Sequence, residues 1–274
     1  MIIKIIVKKF SYLIITVAFL SIGSAMGAGA VRLGDTPSFT YESIHAGIDW
    51  YRESAEKKAI YNEIFKMAYF VIDQNVEKVK KDYPGEKWGV VFDLDDTVFD
   101  NHELNWKFYR DQKVYEADIQ KSFIIDGEKT VHASPGVIDL ITYVRNKGGE
   151  VSFVTDRRVM YAPYTDVDLG KIGLVKDKDY RQILYYDFPL NEPVSGAQPK
   201  QERFDAVDIE SGKPSTKVTA YHVVAYFGDN ILDFPHSNQG DYDQNKFGSI
   251  YFCLPNPMYG SWTSVDEPLP EWKP

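Results

Sequence analysis

Cysteine is almost absent from this sequence: Cys253 is the only one among 274 residues. A single thiol cannot form an internal disulfide, and it cannot supply the several sulfur ligands of a cysteine-rich zinc site. Cys253 falls in the apolar segment 249–254, which has the composition of a buried strand. We therefore expect a core thiol at this position rather than a nucleophile.

An excess of basic charge is absent as well. The chain carries 31 lysines and arginines against 40 acidic residues, for a formal net charge of −9. Such a chain is a poor partner for nucleic acid polymers and for anionic membrane surfaces, which attract basic proteins. Any small anionic molecule must instead be held by a local group of cations.

Long apolar runs are absent beyond the N-terminal segment. There, three lysines precede the run Phe10–Ile22 and a stretch of small residues, in which 28–30 is the best candidate for a cleavage site. This order is typical of a secretory signal peptide over residues 1–30. The run is shorter than the roughly 20 residues that a bilayer span needs, so an uncleaved membrane anchor is the less favoured alternative. We expect an exported protein, periplasmic or secreted, without a lipid anchor and without membrane contact after cleavage.

Residues 31–274 are expected to form a single α/β domain. The spacing of Ile60, Ile64, Met67 and Val71 predicts helical structure over residues 43–83. Short apolar segments then alternate with helical ones, which is typical of a parallel sheet flanked by helices. The predicted strands lie at 88–92, 151–154, 183–186, 223–227 and 250–254, in a core that extends over 88–265.

Polar clusters directly follow three of these predicted strands, at 93–97, 155–157 and 228–230. In parallel sheets ligands gather at the carboxyl ends of the strands, so we expect the three clusters to converge. A pair of cations, Lys200 and Arg203, shares one face of a predicted helix between the second and third clusters.

The first cluster has two carboxylates, Asp93 and Asp95, separated by one residue. Phosphoryl transfer needs a nucleophile and a proton donor for the leaving oxygen, and these two side chains suit those tasks. A calcium loop is one alternative, but Val98 stands where that loop needs glycine. A purely structural acidic turn is another.

The other clusters are weaker when each is taken alone. Thr155 could hydrogen-bond a phosphoryl oxygen, and the Lys200 ammonium could hold a phosphoryl group, although Arg157 and the Lys200 pair could also be solvated surface charge. Asp229 could join Asp93 in binding Mg²⁺, a hard cation that prefers oxygen ligands, or could belong to an ordinary turn.

The order of these clusters resembles that of the haloacid dehalogenase-like (HAD) phosphatases, and among them the class C acid phosphatases of bacteria. Their first motif, D-x-D-x-T, matches 93–97, and their second matches 155–157. The third matches 200–203, and the fourth matches 228–230 together with 233–234. The resemblance runs from about residue 45 to 265. It implies a HAD-like Rossmannoid parallel sheet flanked by helices, with an N-terminal helical segment and a small cap-like region.

The resemblance also implies an activity, a Mg²⁺-dependent acid phosphatase that forms an aspartyl-phosphate. Asp93 would be the nucleophile and Asp95 the general acid and base. Mg²⁺ would be bound by Asp93, Asp229 and the main-chain carbonyl of Asp95, with Asp233 in support.

The phosphoryl group would be held by Thr155 and Lys200, with Arg203 in support.

Two departures from the relatives stand out. No cysteine follows the signal segment to carry the lipid of the lipoprotein members, and Asp156 stands where asparagine is expected, which leaves its role open.

The expected substrate is a small phosphate monoester, with nucleoside 5′-monophosphates favoured because class C relatives include 5′-nucleotidases. Aromatic residues near the positions of Trp106 and Tyr259 stack on the nucleobase in those relatives. In a chain with 15% aromatic residues the two rings could equally fill the core. A homodimer is left open.

Two other interpretations compete with the phosphatase. A dinuclear metallophosphatase is disfavoured because the five histidines show neither HExxH nor paired-ligand spacing. An exported binding protein or surface antigen could keep the fold without catalysis, but the intact pair Asp93 and Asp95 favours the enzyme.

Overall fold

The structure is a computed structural model that describes residues 41–111, 117–190 and 200–264. The predicted signal peptide over 1–30 lies outside the described residues. The helices are α1 (Tyr41–Glu53), α2 (Ala55–Asp82), α3 (His102–Arg110), α4 (Ala117–Ile125), α5 (Val137–Asn146), α6 (Ala162–Lys171) and α7 (Lys200–Val207). The strands are β1 (Trp88–Phe92), β2 (Phe99–Asp100), β3 (His132–Ala133), β4 (Glu150–Val154), β5 (Gln182–Leu184), β6 (His222–Gly228) and β7 (Tyr251–Cys253).

The N-terminal segment, predicted as helical over 43–83, contains the two helices α1 and α2. Ser54 separates α1 from α2: it has extended backbone angles, and its hydroxyl accepts a hydrogen bond from the main-chain N–H of Lys57 at 3.0 Å. Serine is a preferred N-cap residue because its side chain satisfies an otherwise unpaired N–H of the first turn. The start of α2 is therefore fixed by a local hydrogen bond that hydrophobic spacing does not reveal.

Five strands form a parallel sheet in the order β5-β4-β1-β6-β7. These five are the strands predicted from the sequence, and the parallel α/β architecture is confirmed. From β1 the chain builds outward through β4 to β5, and then returns to the other side of β1 for β6 and β7. The direction of winding thus reverses between β1 and β6, and such a switch point opens a crevice at the carboxyl ends of the strands.

Helices cover both faces of the sheet. Val90 and Phe92 of β1 belong to the core cluster that includes α2 and α5, whereas Val91 belongs to the cluster that includes Phe204 and Val207 of α7. This alternation follows from the two-residue period of a strand. Because both faces are covered, β1 is apolar along its whole length, as buried parallel strands are.

An additional region lies between β1 and α5. It contains helices α3 and α4 and the antiparallel pair of β2 with β3, in which Phe99 is opposite Ala133 and Asp100 is opposite His132. This region corresponds to the small cap-like addition that the sequence comparison implies.

Cys253 corrects one expectation, since it is exposed rather than buried. It is the last residue of β7, an edge strand that pairs only with β6 within the sheet, so its side chain lacks neighbours that the central strands have. Across the described residues, no helix combines the length and the apolar character needed to cross a membrane.

Candidate active site

Asp93 lies at the switch point between β1 and β6. It directly follows β1, and its main-chain N–H donates to the carbonyl of Phe227 in β6 at 2.9 Å. The side chain is buried, and its Oδ1 accepts a hydrogen bond from Lys200 Nζ at 2.7 Å. The sheet and the start of α7 therefore bring together two residues that are 107 positions apart in the chain.

Three carboxylates crowd around this point. Oxygens of Asp93, Asp229 and Asp233 all lie within 4.8 Å of one another. Lys200 Nζ bridges two of them, because it also donates to Asp233 Oδ1 at 2.5 Å. Burial raises the pKa of Asp93 well above its ordinary value. The charge of Lys200 acts to lower this pKa, and the charge of Asp233 acts to raise it further. Burial, Asp233 and Asp93 likewise raise the pKa of Asp229.

The Lys200 ammonium stays protonated in this surrounding. Burial acts to lower the pKa of Lys200, but the attraction of Asp233 and Asp93 outweighs it, so the pKa is raised. One ammonium among three carboxylates leaves an excess of negative charge, which adds to burial, the larger cause, in raising the pKa of Asp93 and of Asp229.

Asp229 is oriented by two neutral side chains. Thr97 Oγ1 donates to its Oδ1 at 3.1 Å, and Asn256 Nδ2 donates to its Oδ2 at 2.7 Å. Asp233 is held in a similar way, because its Oδ2 accepts from the main-chain N–H of Asn230 at 2.9 Å. Oriented carboxylates supported by outer hydrogen bonds are the usual construction of a metal site.

The donor set fits a hard divalent cation. All three side chains offer oxygen, the atom that Mg²⁺ and Ca²⁺ prefer, and their oxygens are close enough for one ion. The excess negative charge would be offset by such an ion. The structure thus supports a divalent metal at this carboxylate cluster.

Asp95 points to a different partner. Arg157 donates to its carboxylate with both Nη2, at 2.7 Å, and Nε, at 3.0 Å, and Asn101 Nδ2 donates to Oδ1 at 2.5 Å. Burial raises the pKa of Asp95, but the charge and hydrogen bonds of Arg157 outweigh burial, so the pKa lies below its ordinary value. In this state the carboxylate is ionised.

Asp96 shapes the loop that carries Asp95. Its backbone has a φ of 56°, in the left-handed region that few non-glycine residues adopt. Two hydrogen bonds hold its carboxylate: Oδ1 accepts from the main-chain N–H of Asn101 at 3.0 Å, and Oδ2 accepts from the Tyr259 hydroxyl at 2.5 Å. The late loop that contains Tyr259 therefore fastens the first motif.

Thr155 and Arg203 meet at the end of β4. Thr155 is fully buried, and its main-chain carbonyl accepts from Arg203 Nη1 at 2.5 Å. Arg203 Nη2 donates to the Asp156 carboxylate at 2.5 Å. Arg203 is thus a buried link between α7 and β4.

Trp106 and Tyr259 pack against the same small cluster of Ile48, Tyr51 and Met258. The guanidinium of Arg52 lies over the Trp106 ring, 5.3 Å from its centroid. Trp106 also lines a cavity of about 520 Å³ together with Arg52 and with neighbours on α3 such as Lys107. Tyr259 therefore contacts the first motif directly through its hydroxyl, whereas Trp106 lies on α3 and packs against residues of α1.

Most of these side chains are predictable from the sequence, but several are not. The structure brings together Asp93, Lys200, Asp229 and Asp233. Asp93 and Asp229 meet because each directly follows a strand, as predicted, and Lys200 reaches them from a helix, as also predicted. Missed are the supporting residues Thr97, Asn101 and Asn256. For Arg157 the sequence leaves a surface position open, whereas the structure buries it against Asp95. The only sign in the sequence that Arg157 belongs to the site is its position in the second motif.

Comparison with known proteins agrees with the fold and with the site. Residues 29–262 match the family described as HAD superfamily, subfamily IIIB (acid phosphatase). The class C acid phosphatase from Bacillus anthracis with tungstate bound is similar in structure, with a TM-score of 0.63 and 25% sequence identity, over 81% of this chain and 87% of that chain. A second structure of the class C acid phosphatase from Bacillus anthracis gives a TM-score of 0.63 at 24% identity, over the same shares of 81% and 87%, and supports the fold.

The parallel sheet and its carboxylate-lined switch point define a hydrolase of the HAD type. The chain belongs to the acid phosphatase subfamily IIIB of the HAD superfamily. It is a phosphomonoesterase of class C type, acting on small phosphate monoesters, in a superfamily whose members use a divalent metal.

Proposed function

We propose that this acid phosphatase forms an aspartyl-phosphate on Asp93, depends on Mg²⁺, and hydrolyses nucleoside 5′-monophosphates. One observation carries the proposal. Asp93 lies at the switch point of the sheet with Lys200 Nζ at 2.7 Å, and oxygens of Asp229 and Asp233 lie within 4.8 Å of its own carboxylate. A nucleophile, a cation and a set of metal ligands thus share one place.

The charge balance supports the metal requirement. A phosphate monoester is anionic, and the three carboxylates with one ammonium would repel it. Mg²⁺ on the carboxylate oxygens would supply the positive charge that the substrate needs and would stabilise charge on the phosphoryl oxygens in the transition state. We assign Asp93, Asp229 and the main-chain carbonyl of Asp95 to this ion, with Asp233 holding Lys200 beside it.

The proposed reaction has two steps. In the first, a carboxylate oxygen of Asp93 attacks phosphorus, the ester P–O bond breaks, and the leaving oxygen takes a proton from Asp95. In the second, Asp95 takes a proton from water, the water oxygen attacks phosphorus, and the bond to Asp93 breaks with release of phosphate. Lys200 and the Thr155 hydroxyl hold the phosphoryl oxygens throughout.

The pairing of Asp95 with Arg157 suits the second step, because it favours the ionised carboxylate that can accept a proton from water. The first step requires Asp95 to carry a proton when the substrate is bound. Acidic conditions favour that form, in agreement with an acid phosphatase.

Turnover of p-nitrophenyl phosphate tests the mechanism. We expect activity with Mg²⁺, loss of activity in EDTA, recovery when Mg²⁺ is restored, and loss of at least about 10³-fold in kcat for Asp93→Asn. Asp177→Asn is the control, because Asp177 is an exposed partner of Arg181. Folded Asp93→Asn protein with wild-type activity would exclude Asp93 as the nucleophile, and full activity in EDTA would exclude the metal requirement.

The nucleotide preference depends on Trp106 and Tyr259. Stacking of a base on an aromatic ring contributes about 1–3 kcal/mol, so Trp106→Ala and Tyr259→Ala should each raise KM for AMP about 5- to 150-fold more than they raise KM for glycerol phosphate. Tyr259→Phe separates the two roles of Tyr259, because it keeps the ring and removes the hydroxyl that binds Asp96. Equal KM changes for both substrates would contradict stacking.

The remaining alternatives have direct tests. An exported binding protein without catalysis is not favoured by the family, and turnover by the purified chain would exclude it. Export as a soluble periplasmic or secreted enzyme predicts that the mature chain starts near residue 31, which N-terminal sequencing would establish. A homodimer predicts twice the chain mass in sedimentation.

A further inference from the structure

Arg203 is one of the most deeply buried side chains of the protein, with 1% of its surface exposed. Its guanidinium joins three elements. Nη1 donates to the carbonyl of Thr155 after β4 and, at 3.4 Å, to the carbonyl of Leu184 in β5. Nη2 donates to Asp156 Oδ1 at 2.5 Å. Arg203 itself belongs to α7, three residues after Lys200.

A buried guanidinium needs a compensating negative charge, because transfer of an ion out of water is unfavourable. The two carbonyls supply partial charges only. Among the residues that the structure describes, Asp156 is the carboxylate in ion-pair contact with Arg203. Asp156 is itself about one-third exposed, at 32%, so it links the buried cation to solvent.

Helix α7 depends on such contacts for its position. It has eight residues, too few for a stable helix on its own in water. Lys200 at its first position and Arg203 three residues later project from the same side of the helix. Whatever fixes Arg203 against β4 therefore also fixes the Lys200 ammonium against Asp93.

We propose that Asp156 is a positioning residue that acts through Arg203. Its charge holds the guanidinium on the Thr155 carbonyl, and this contact sets the separation between Lys200 on α7 and Thr155 on β4. The inference rests on the proposed function, in which Lys200 and Thr155 hold the phosphoryl group from two sides. A displacement of about 1 Å in a group that positions substrate can reduce the rate about 10²-fold.

Asp156→Asn tests the inference, because it keeps the size and a hydrogen-bond acceptor and removes only the charge. We expect kcat for p-nitrophenyl phosphate to fall about 10-fold or more and the Kd for inorganic phosphate, measured by calorimetry with Mg²⁺, to rise about 10-fold. Arg203→Lys, which keeps the charge and loses the planar fork, should have a similar effect. Asp156→Glu should recover part of both losses.

The matched controls are Asp177→Asn and Arg181→Lys, which alter an exposed aspartate–arginine pair with Nη1 and Oδ1 at 3.0 Å. Both should leave kcat and phosphate affinity unchanged. In the double variant Asp156→Asn with Arg203→Lys, the losses in kcat and in phosphate affinity should be about equal to those of the more affected single variant, since both changes break the same contact. Multiplicative losses in the double variant would overturn the inference, because the two residues would then act independently.

Two further outcomes are decisive. Wild-type kcat and wild-type phosphate affinity in folded Asp156→Asn would overturn the role of Asp156. Weakened phosphate binding in Asp156→Asn would support it even if the proposed aspartyl-phosphate chemistry failed for Asp93→Asn, since phosphate binding does not depend on turnover. Failure of the positioning role and failure of the mechanism are thus measured separately.

Discussion

The amide of Asn256 holds Asp229 Oδ2 at 2.7 Å from the loop that follows β7. Its carbonyl oxygen meanwhile accepts the main-chain N–H of Met258 at 2.9 Å, so the side chain is fixed at both ends. A residue placed in this way keeps the carboxylate that we propose as a metal ligand in one orientation. Outer contacts of this kind typically change metal affinity 10- to 100-fold when removed.

Asn256→Ala should therefore weaken Mg²⁺ binding about 10-fold while leaving kcat at saturating Mg²⁺ largely intact. Asp229 itself remains, so the ligand is present but less well oriented. Titration calorimetry with Mg²⁺ and the dependence of activity on Mg²⁺ concentration both measure the change. Asn245→Ala, in an exposed turn, is the control. An unchanged Mg²⁺ affinity in Asn256→Ala would show that the contact has no part in metal binding.

Site residues divide into those that the sequence predicts and those that only the fold reveals. Asp93 and Asp229 are predictable because each directly follows an apolar strand, and parallel strands end at the same edge. Thr97 and Asn256 are not, because their contacts with Asp229 depend on where two separate loops lie in space. The Thr97 contact joins residues 132 positions apart. Short-range patterns carry no information on such contacts.

Between elements, a buried ion pair joins helix α2 to strand β2. Lys57 Nζ lies 2.6 Å from Asp100 Oδ2 and 3.2 Å from the centroid of the Tyr51 ring. Burial lowers the pKa of Lys57 despite the opposing attraction of Asp100. Asp100 Oδ1 also contacts His102 Nδ1 at 2.7 Å. The N-terminal helices are thereby attached to the strand that follows the first motif.

Lys57→Met should lower the free energy of unfolding by about 3 kcal/mol, because it leaves the Asp100 carboxylate with one partner fewer in a buried position. Lys80→Met is the matched control on the same helix, since Lys80 pairs with Glu77 in full solvent contact. That change should cost less than about 0.5 kcal/mol. Urea unfolding followed by circular dichroism measures both.

A second variant separates the ion pair from simple packing. Adding Asp100→Asn to Lys57→Met should restore part of the lost stability, because the unpaired charge disappears. Equal losses for Lys57→Met and Lys80→Met, or no recovery in the double variant, would contradict the importance of the pair.

The elements themselves follow from the sequence to different extents. All five strands of the main sheet are visible as short apolar runs, since a strand covered on both faces is apolar throughout. The break at Ser54 is not visible, because the apolar spacing continues across it. The individual strands of the cap-like region are not visible either, because β2 and β3 have only two residues each, too few to produce a periodic pattern.

At the scale of the whole molecule, the crowded carboxylates couple stability to pH. Burial raises the pKa of Asp93 and of Asp229, and it raises the pKa of Asp96 from 3.8 to about 7. A carboxyl group whose pKa is higher in the folded than in the unfolded state binds protons more strongly when folded. It therefore stabilises the fold at low pH, and this contribution is lost as the pH rises from about 4 to about 7.

Other groups have effects that can be distinguished from this one. The lowered pKa values of Asp95 and Asp100 affect stability only below their ordinary value of 3.8, where those groups begin to take up protons. His222 has a raised pKa: burial opposes the shift, and Glu86 and Glu210 cause it. Its contribution is also lost as the pH rises, but His222 begins β6, and Asp229 follows the end of that strand. A metal at the site would not affect it.

Metal binding should reverse the pH trend of the site. A divalent cation binds the ionised carboxylates, so its stabilisation grows as the pH rises, and 100-fold excess over Kd corresponds to about 2.7 kcal/mol. We expect Tm in EDTA to fall between pH 5 and pH 7.5, and the difference between Mg²⁺ and EDTA to widen over the same interval to about 5–11 °C, since each kcal/mol shifts Tm by about 2–4 °C in a domain of this size. Scanning calorimetry of the wild type and of Asp229→Asn measures this, and the variant should lose most of the Mg²⁺ effect. The contribution of His222 is the same in Mg²⁺ and in EDTA, so it cancels in the difference between the two solutions. A Mg²⁺ effect that is the same at pH 5 and pH 7.5, or that persists in Asp229→Asn, would therefore mean that the ion binds elsewhere.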